Sequence, residues 1–314
     1  MASISPANFE ESMRVDPTYV SNLVSALDQS QSTTQQLSSE LSSGVRVTSL
    51  STDPLAAGEN VRLLNQMQQD DSFTQSAGLV TGQLQVADSA LGQVVDQLTQ
   101  AVSLATSANN GTMNASDRQS ISNQIAGIRG EILTLANSSY QGQYIFAGSA
   151  NSTAPFSLSS ATSPATVSYN GDQDVNYLET PGGQKTQLNV PGNQIFDGAG
   201  TNGVFSALNS LVADYCNSTF NANAAISDTQ ALGTALSYVS QQRVTIDNST
   251  TQVTAASNAV SSEQTQLTAA QTNLMQADIA KVSTQLSLSE TQQTALEDVI
   301  AKLGSGSLFD KLPA

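Results

Sequence analysis

Apolar residues recur at helical intervals at both ends of this chain and lose that rhythm in the middle. Leu232, Val239, Ile246, Val253, Val260, Leu267 and Leu274 stand seven residues apart, and their companion positions are mostly Ala, Ser, Thr and Gln. That spacing predicts one long helix with a narrow apolar seam. Ser227 and Gln230 have capping-box spacing and mark its expected start. The phase then changes: Ile279, Val282, Leu286, Ser289, Gln293, Leu296, Ile300 and Leu303 follow steps of three and four. The shift near Met275–Val282 predicts a bend or a change of packing partner, and so a domain boundary.

The N-terminal half carries matching stripes. Val20, Leu23, Leu27, Thr34, Leu37 and Leu41 form one; Leu84, Ala87, Leu91, Val94, Leu98, Ala101 and Ala105 form a second. Asn109-Asn110-Gly111 is a turn signal. Ser116 and Gln119 are another capping-box pair, and Ile121, Ile125, Ile128, Ile132 and Leu135 give a third stripe. The segments 55–154 and 192–312 are free of proline, so long helices can run there unbroken.

The middle is different. Four prolines fall at 155–191, and ten of the fifteen aromatic residues lie between Tyr140 and Phe220, so the non-helical matter is concentrated here. Tyr144-Ile145-Phe146 lies between glycines. Val167-Ser168-Tyr169 and Val175-Asn176-Tyr177 flank Asn170-Gly171, a hairpin signal, and Gln187-Leu188-Asn189-Val190 ends at Pro191. A small antiparallel module is expected, too small to be very stable without helices beneath it. The fold class predicted is mainly α: a long antiparallel helical bundle or coiled coil made by both chain ends, with a small β-rich insert. The expected domains are 1–50 with 275–314 (terminal coiled coil), 51–145 with 205–274 (helical bundle) and 146–204 (insert).

Composition narrows the function. With a formal net charge of −16, the surface repels nucleic acid and anionic lipid, so neither nucleic acid nor membrane is expected as a partner. Histidine is absent, which removes His triads, His metal sites and the usual near-neutral proton shuttle. The lone Cys216 allows no internal disulfide and is expected as buried apolar filler. Asp70-Asp71 and Asp172/Asp174 lack a complete ligand pattern and are expected as solvated carboxylates. Gly198–Gly203 lacks a phosphate loop's Lys-Ser/Thr ending and is expected as an ordinary loop. No catalytic, cofactor or metal site is expected, and no enzyme. No basic, apolar secretory leader opens the chain, so if the protein leaves the cell it is expected to use a route that reads no cleaved signal; Met13 is an alternative start. The few large side chains of the terminal stripes bury too little to offset the entropy of ordering them, so the outermost helix pair is expected to need neighbouring copies.

Several segments carry a resemblance. Leu37-Ser38-Ser39-Glu40-Leu41-Ser42-Ser43-Gly44-Val45-Arg46-Val47, followed by Asp53-Pro54-Leu55-Ala56-Ala57, resembles the N-terminal signature of the flagellin superfamily, in the form found in its hook–filament junction branch. Ile125 to Asn137, Gly142-Gln143-Tyr144-Ile145-Phe146-Ala147-Gly148, Asp278-Ile279-Ala280 and Thr291 to Leu296 are similar to further family segments. The chain departs from the family in having Leu50-Ser51-Thr52 before Asp53, and twelve residues before Met13. The resemblance implies a structural adaptor exported unfolded by the flagellar type III system to the outside of the cell. It implies hook-associated protein 1 on the hook side, flagellin on the filament side, a ring of its own copies, and a cytoplasmic export chaperone holding the C-terminal region. Assembly is expected through the terminal coils, at Val20, Leu23, Leu27, Leu37, Leu41, Arg46, Asp53, Val282, Leu286, Leu296, Ile300 and Leu303. A filament-forming flagellin is the alternative, and a carboxylate-dependent glycoside hydrolase in the insert would need two carboxylates facing across a cleft.

Overall fold

The computed structural model describes residues 17–47, 51, 53–109, 113–159, 165–198 and 203–305. Among them are six α-helices: α1 (Pro17–Ser43), α2 (Pro54–Ala108), α3 (Ala115–Ala136), α4 (Val204–Cys216), α5 (Ala222–Met275) and α6 (Ile279–Ser305). Six short strands lie between α3 and α4: β1 (Ser139–Tyr140), β2 (Gln143–Tyr144), β3 (Phe156–Ser159), β4 (Thr166–Tyr169), β5 (Tyr177–Glu179) and β6 (Lys185–Gln187). The chain is thus mainly helical, with its ends paired and a small β-rich region in the middle. It divides into two compact units, 1–65 with 266–314, and 66–265.

Serine and threonine are poor interior helix formers because their hydroxyls compete for the backbone. Here many hydroxyls instead donate to the carbonyl four residues back, as Thr33, Ser72, Thr99, Thr234 and Thr284 do at 2.8–3.1 Å. That local bond satisfies them inside the helix and lets a Ser/Thr-rich chain hold helices of about fifteen turns.

In the larger unit, α2 and α5 run antiparallel. Arg243 donates to both carboxylate oxygens of Asp88, at 2.6 and 3.1 Å, and Asn109 bonds to the Thr229 hydroxyl at 2.9 Å. The second predicted stripe is buried throughout, and in α5 the heptad positions are buried from Leu232 to Val260. Leu267 and Leu274 are half-buried, in the other unit. Helix α3 turns its Ile121, Ile125, Ile128 and Ile132 into the same core. Buried Arg129 ties it to α4 by donating to Asn209 Oδ1 at 2.7 Å and to the Ala165 carbonyl at 3.0 Å.

Several local expectations are corrected. Both capping-box starts are displaced. Asn114 caps α3, its Oδ1 accepting the Asp117 amide at 2.9 Å. Helix α5 begins after Asn221, whose Oδ1 accepts the amides of Asn223 and Ala224. Asparagine offers the same acceptor as serine and stood earlier in each case. Helix α4 was not foreseen, although Val204, Ala207, Leu208, Leu211, Val212 and Tyr215 repeat at helical steps and are all buried. The turn at Asn109–Gly111 and the loop at 198–203 fall largely outside the described residues.

Strand pairing also differs. β4 pairs with β3, with Phe156 opposite Tyr169, and β5 pairs with β6; no hairpin forms at Asn170-Gly171. The Tyr169 hydroxyl donates to the carbonyls of Phe146 and Asp172, and the Asp172 amide donates to Ala147. These bonds fold 170–174 onto 146–149 and leave Gly171 without the positive φ that a two-residue turn needs. Gln141 and Gly142 do have positive φ, 50° and 81°, and form the tight turn between β1 and β2. Asp172 remains solvent-accessible and is also a structural acceptor: its Oδ1 takes the amides of Ser149 and Asp174, which lower its pKa. Phe196 meets Phe146 and Phe156 edge-to-face and stacks on Phe205, which also touches Phe156, at centroid distances of 5.2–5.9 Å, and these rings root the insert on α4.

Candidate assembly interface

The residues expected to act in assembly lie in the unit of both chain ends. Helix α1 begins at Pro17, whose fixed φ suits a first helical turn. It ends at Gly44, which adopts φ 69° and returns its amide to the Glu40 carbonyl at 2.9 Å, a left-handed stop. Helix α6 starts on Asp278, whose Oδ1 accepts the Lys281 amide at 3.1 Å.

Two cross-contacts set the direction of the pair. Val45 bridges Gln276 in antiparallel sense, and eleven residues earlier in α1 the Thr34 hydroxyl meets the Ser289 hydroxyl at 2.9 Å. Extending that register places Leu41 opposite Val282, Leu37 opposite Leu286, Leu27 opposite Leu296 and Leu23 opposite Ile300. Val282 is buried, while Leu23, Leu27, Leu37, Leu41, Leu286, Leu296 and Ile300 are only half-buried. Val20 stays 36% exposed, so the seam does not close over it. Leu303 has its side chain outside the described residues. The centre of the seam is polar: Ser30, Thr34, Ser289 and Gln293 occupy it, and Ser30 also donates to the Ser289 carbonyl at 3.5 Å.

At the inner end of the coil, Arg46 and Asp53 meet. Arg46 Nη1 lies 3.0 Å from Asp53 Oδ2, Arg46 Nη2 donates to the Leu274 carbonyl at 3.2 Å, and its amide donates to Met275 at 2.7 Å. Asp53 Oδ1 accepts the Ala56 amide at 3.0 Å and so caps α2. That amide, and then the Arg46 guanidinium, hold the Asp53 carboxyl below its ordinary pKa. The predicted phase change thus corresponds to a real break between α5 and α6, where Ala277 donates to the Gly44 carbonyl at 2.9 Å.

Sequence reasoning missed the apolar residues off the seam. Tyr19, Val24, Leu288 and Val299 are exposed on α1 and α6, and Leu55 is 85% exposed at the start of α2. Each stands out of phase with the stripe, which is why the stripe did not flag it. Cys216 is also corrected. It is exposed at the end of α4, where its thiol meets the Ser122 hydroxyl at 3.0 Å, so it fills no core. No helix among the described residues is long and apolar enough to cross a membrane.

Residues 18–151 match the bacterial flagellin N-terminal helical region, a span that runs from α1 through α3 into the insert. This stretch, somewhat under half of the chain, is similar to the flagellin N-terminal region. Over 182 residues the chain is 31% identical to flagellar hook-associated protein 3 of Salmonella typhimurium, an alignment covering 58% of this chain and 56% of that protein. The chain spans about half the length of the curated relatives it matches. Among solved structures, a Vibrio parahaemolyticus protein assigned as flagellar hook-associated superposes with a TM-score of 0.64 at 18% identity, covering 72% of this chain and all of that one. The flagellar junction protein FlgL of Legionella pneumophila gives 0.52 at 13% identity, over 62% of this chain and 99% of that one. At such identities the shared property is the fold. The matched residues 18–151 include helix α1 of the seam and both partners of the Arg46–Asp53 pair.

Proposed function

We propose that this chain is a structural, non-enzymatic subunit of the bacterial flagellum that joins the hook to the filament. The observation that carries this reading is the terminal coil, a seam whose apolar residues are half-exposed, within a chain that is similar to hook-associated protein 3. A two-helix coil covers only one side of each seam residue, and a neighbouring copy can cover the other. Assembly then runs through Val20, Leu23, Leu27, Leu37 and Leu41 on α1 and Val282, Leu286, Leu296, Ile300 and Leu303 on α6. Arg46 and Asp53 fix the coil's inner end. On this reading the terminal coil is the assembly domain.

The partners on this reading are hook-associated protein 1 on one side, flagellin on the other, and further copies in a ring. Export is unfolded through the flagellar type III channel to the cell exterior, with a cytoplasmic chaperone on the C-terminal region. Deleting the gene is expected to leave hooks without filaments and to shed flagellin into the medium. Normal filaments in the deletion strain would refute the reading. Purified protein is expected to remain monomeric or stop at short assemblies; long filaments formed by this chain alone would make it a flagellin instead.

A further inference from the structure

Positions 56, 63, 70, 77, 84, 91, 98 and 105 of α2 form an unbroken heptad, and every one is buried. Seven of them are Ala or Leu; the remaining one is Asp70. Its side chain is fully enclosed, at 0% exposure, and neither carboxylate oxygen has a hydrogen-bond partner in the chain. The Thr74 hydroxyl oxygen, one turn on, is buried and unpartnered as well. The charged groups that face Asp70 are Asp71 on its own helix and Glu263 on α5, and both are acidic. Their polar partners are glutamines: Gln66 donates to Glu263 at 2.6 Å, and Gln264 donates to Asp71. Among the described residues no cation compensates the site.

We propose that Asp70 is a protonation-dependent fastener in the α2–α5 pair, closed when its carboxyl is neutral and loosened when it ionises. A neutral carboxylic acid is a tolerable tenant of an apolar seam, whereas an unpaired carboxylate there costs a large desolvation penalty that local opening relieves. Burial and the two neighbouring acids act in the same sense, both raising the Asp70 pKa. A raised folded-state value means that the folded form binds the proton more tightly. The pairing is therefore strongest below the ordinary aspartate pKa and weakens as pH rises towards the folded-state value. The inference stands whether or not the flagellar reading does.

Amide hydrogen exchange on the full-length chain tests it, corrected for intrinsic rates, on peptides spanning 66–77 and 256–265. Between about pH 8 and about pH 4, wild-type protection there is expected to rise as the carboxyl takes up its proton. Asp70→Asn keeps the shape and cannot ionise; it is expected to be pH-independent and more protected than wild type at the upper pH. Asp71→Asn removes an equal charge from an exposed position and is expected to keep most of the wild-type dependence. The proposal falls if wild-type protection is flat with pH, if Asp70→Asn shows the wild-type slope, or if Asp71→Asn abolishes the slope as fully. The wild-type profile decides the matter alone should Asp70→Asn fail to fold.

Discussion

Asp53 holds two structures at once, because one carboxylate oxygen caps α2 and the other pairs with Arg46. The two roles separate by mutation. Asp53→Asn keeps a capping oxygen and removes the ion pair; Asp53→Ala removes both. Thermal unfolding at neutral pH is expected to show a lower midpoint for Ala than for Asn, with wild type above both. The pH dependence has a definite sign. A depressed folded-state pKa contributes stability above the unfolded value of 3.8, and that contribution disappears as pH falls through the folded-state value. The gap between wild type and Asp53→Asn is therefore expected to close in strong acid. A gap that persists there, or Asn and Ala variants melting together, would show that the carboxylate's charge plays no part. Because the pair is exposed, added salt is expected to narrow the same gap.

The elements follow from the seam that each sequence could supply. Helices α2, α3 and α5 were legible because their apolar positions repeat for many turns and stay buried, as Leu84 to Ala105 and Leu232 to Val260 do. What escaped was decided by neighbours. Helix α4 is short, so although 205–274 is assigned to the helical bundle, only the long seam from Leu232 onward stands out as a helix in it. The Asn170-Gly171 turn lost to the bonds of the Tyr169 hydroxyl, which no local pattern announces. Asp70 was expected as a solvated carboxylate and is instead buried, because it falls in register with Leu63 and Ala77, a stretch of seam before Leu84 that was not read from the sequence. The terminal coil differs from the body in having a polar centre, and polar seam residues fix register at a cost in stability. Replacing that layer by Thr34→Leu with Ser289→Leu is expected to stabilise the α1–α6 pair by about 1–2 kcal/mol. Exchange protection across 23–41 and 282–300 is the measurement. Unchanged or weaker protection in the double variant would mean that the hydroxyl pair stabilises the coil instead of limiting it.

For the whole molecule, the acidic balance opposes the association that the coil invites. Each copy carries a formal charge of −16, and a seam shared between copies brings those charges together. The attraction at such a seam is apolar and of short range, whereas the repulsion is Coulombic and reaches as far as the salt allows. Raising ionic strength from about 0.01 M to about 1 M shrinks the screening length from about 30 Å to about 3 Å, which removes most of the repulsion and leaves apolar contact intact. Self-association of the full chain, followed by sedimentation velocity, is therefore expected to strengthen with salt. Leu27→Ser with Leu296→Ser is expected to suppress association at every salt level, because it removes the contact and not the charge. Association that weakens with salt would place ion pairs, not the apolar seam, at the centre of the interface. Association that survives the double serine variant would move the interface off the terminal coil, towards exposed residues such as Leu55 and Leu288.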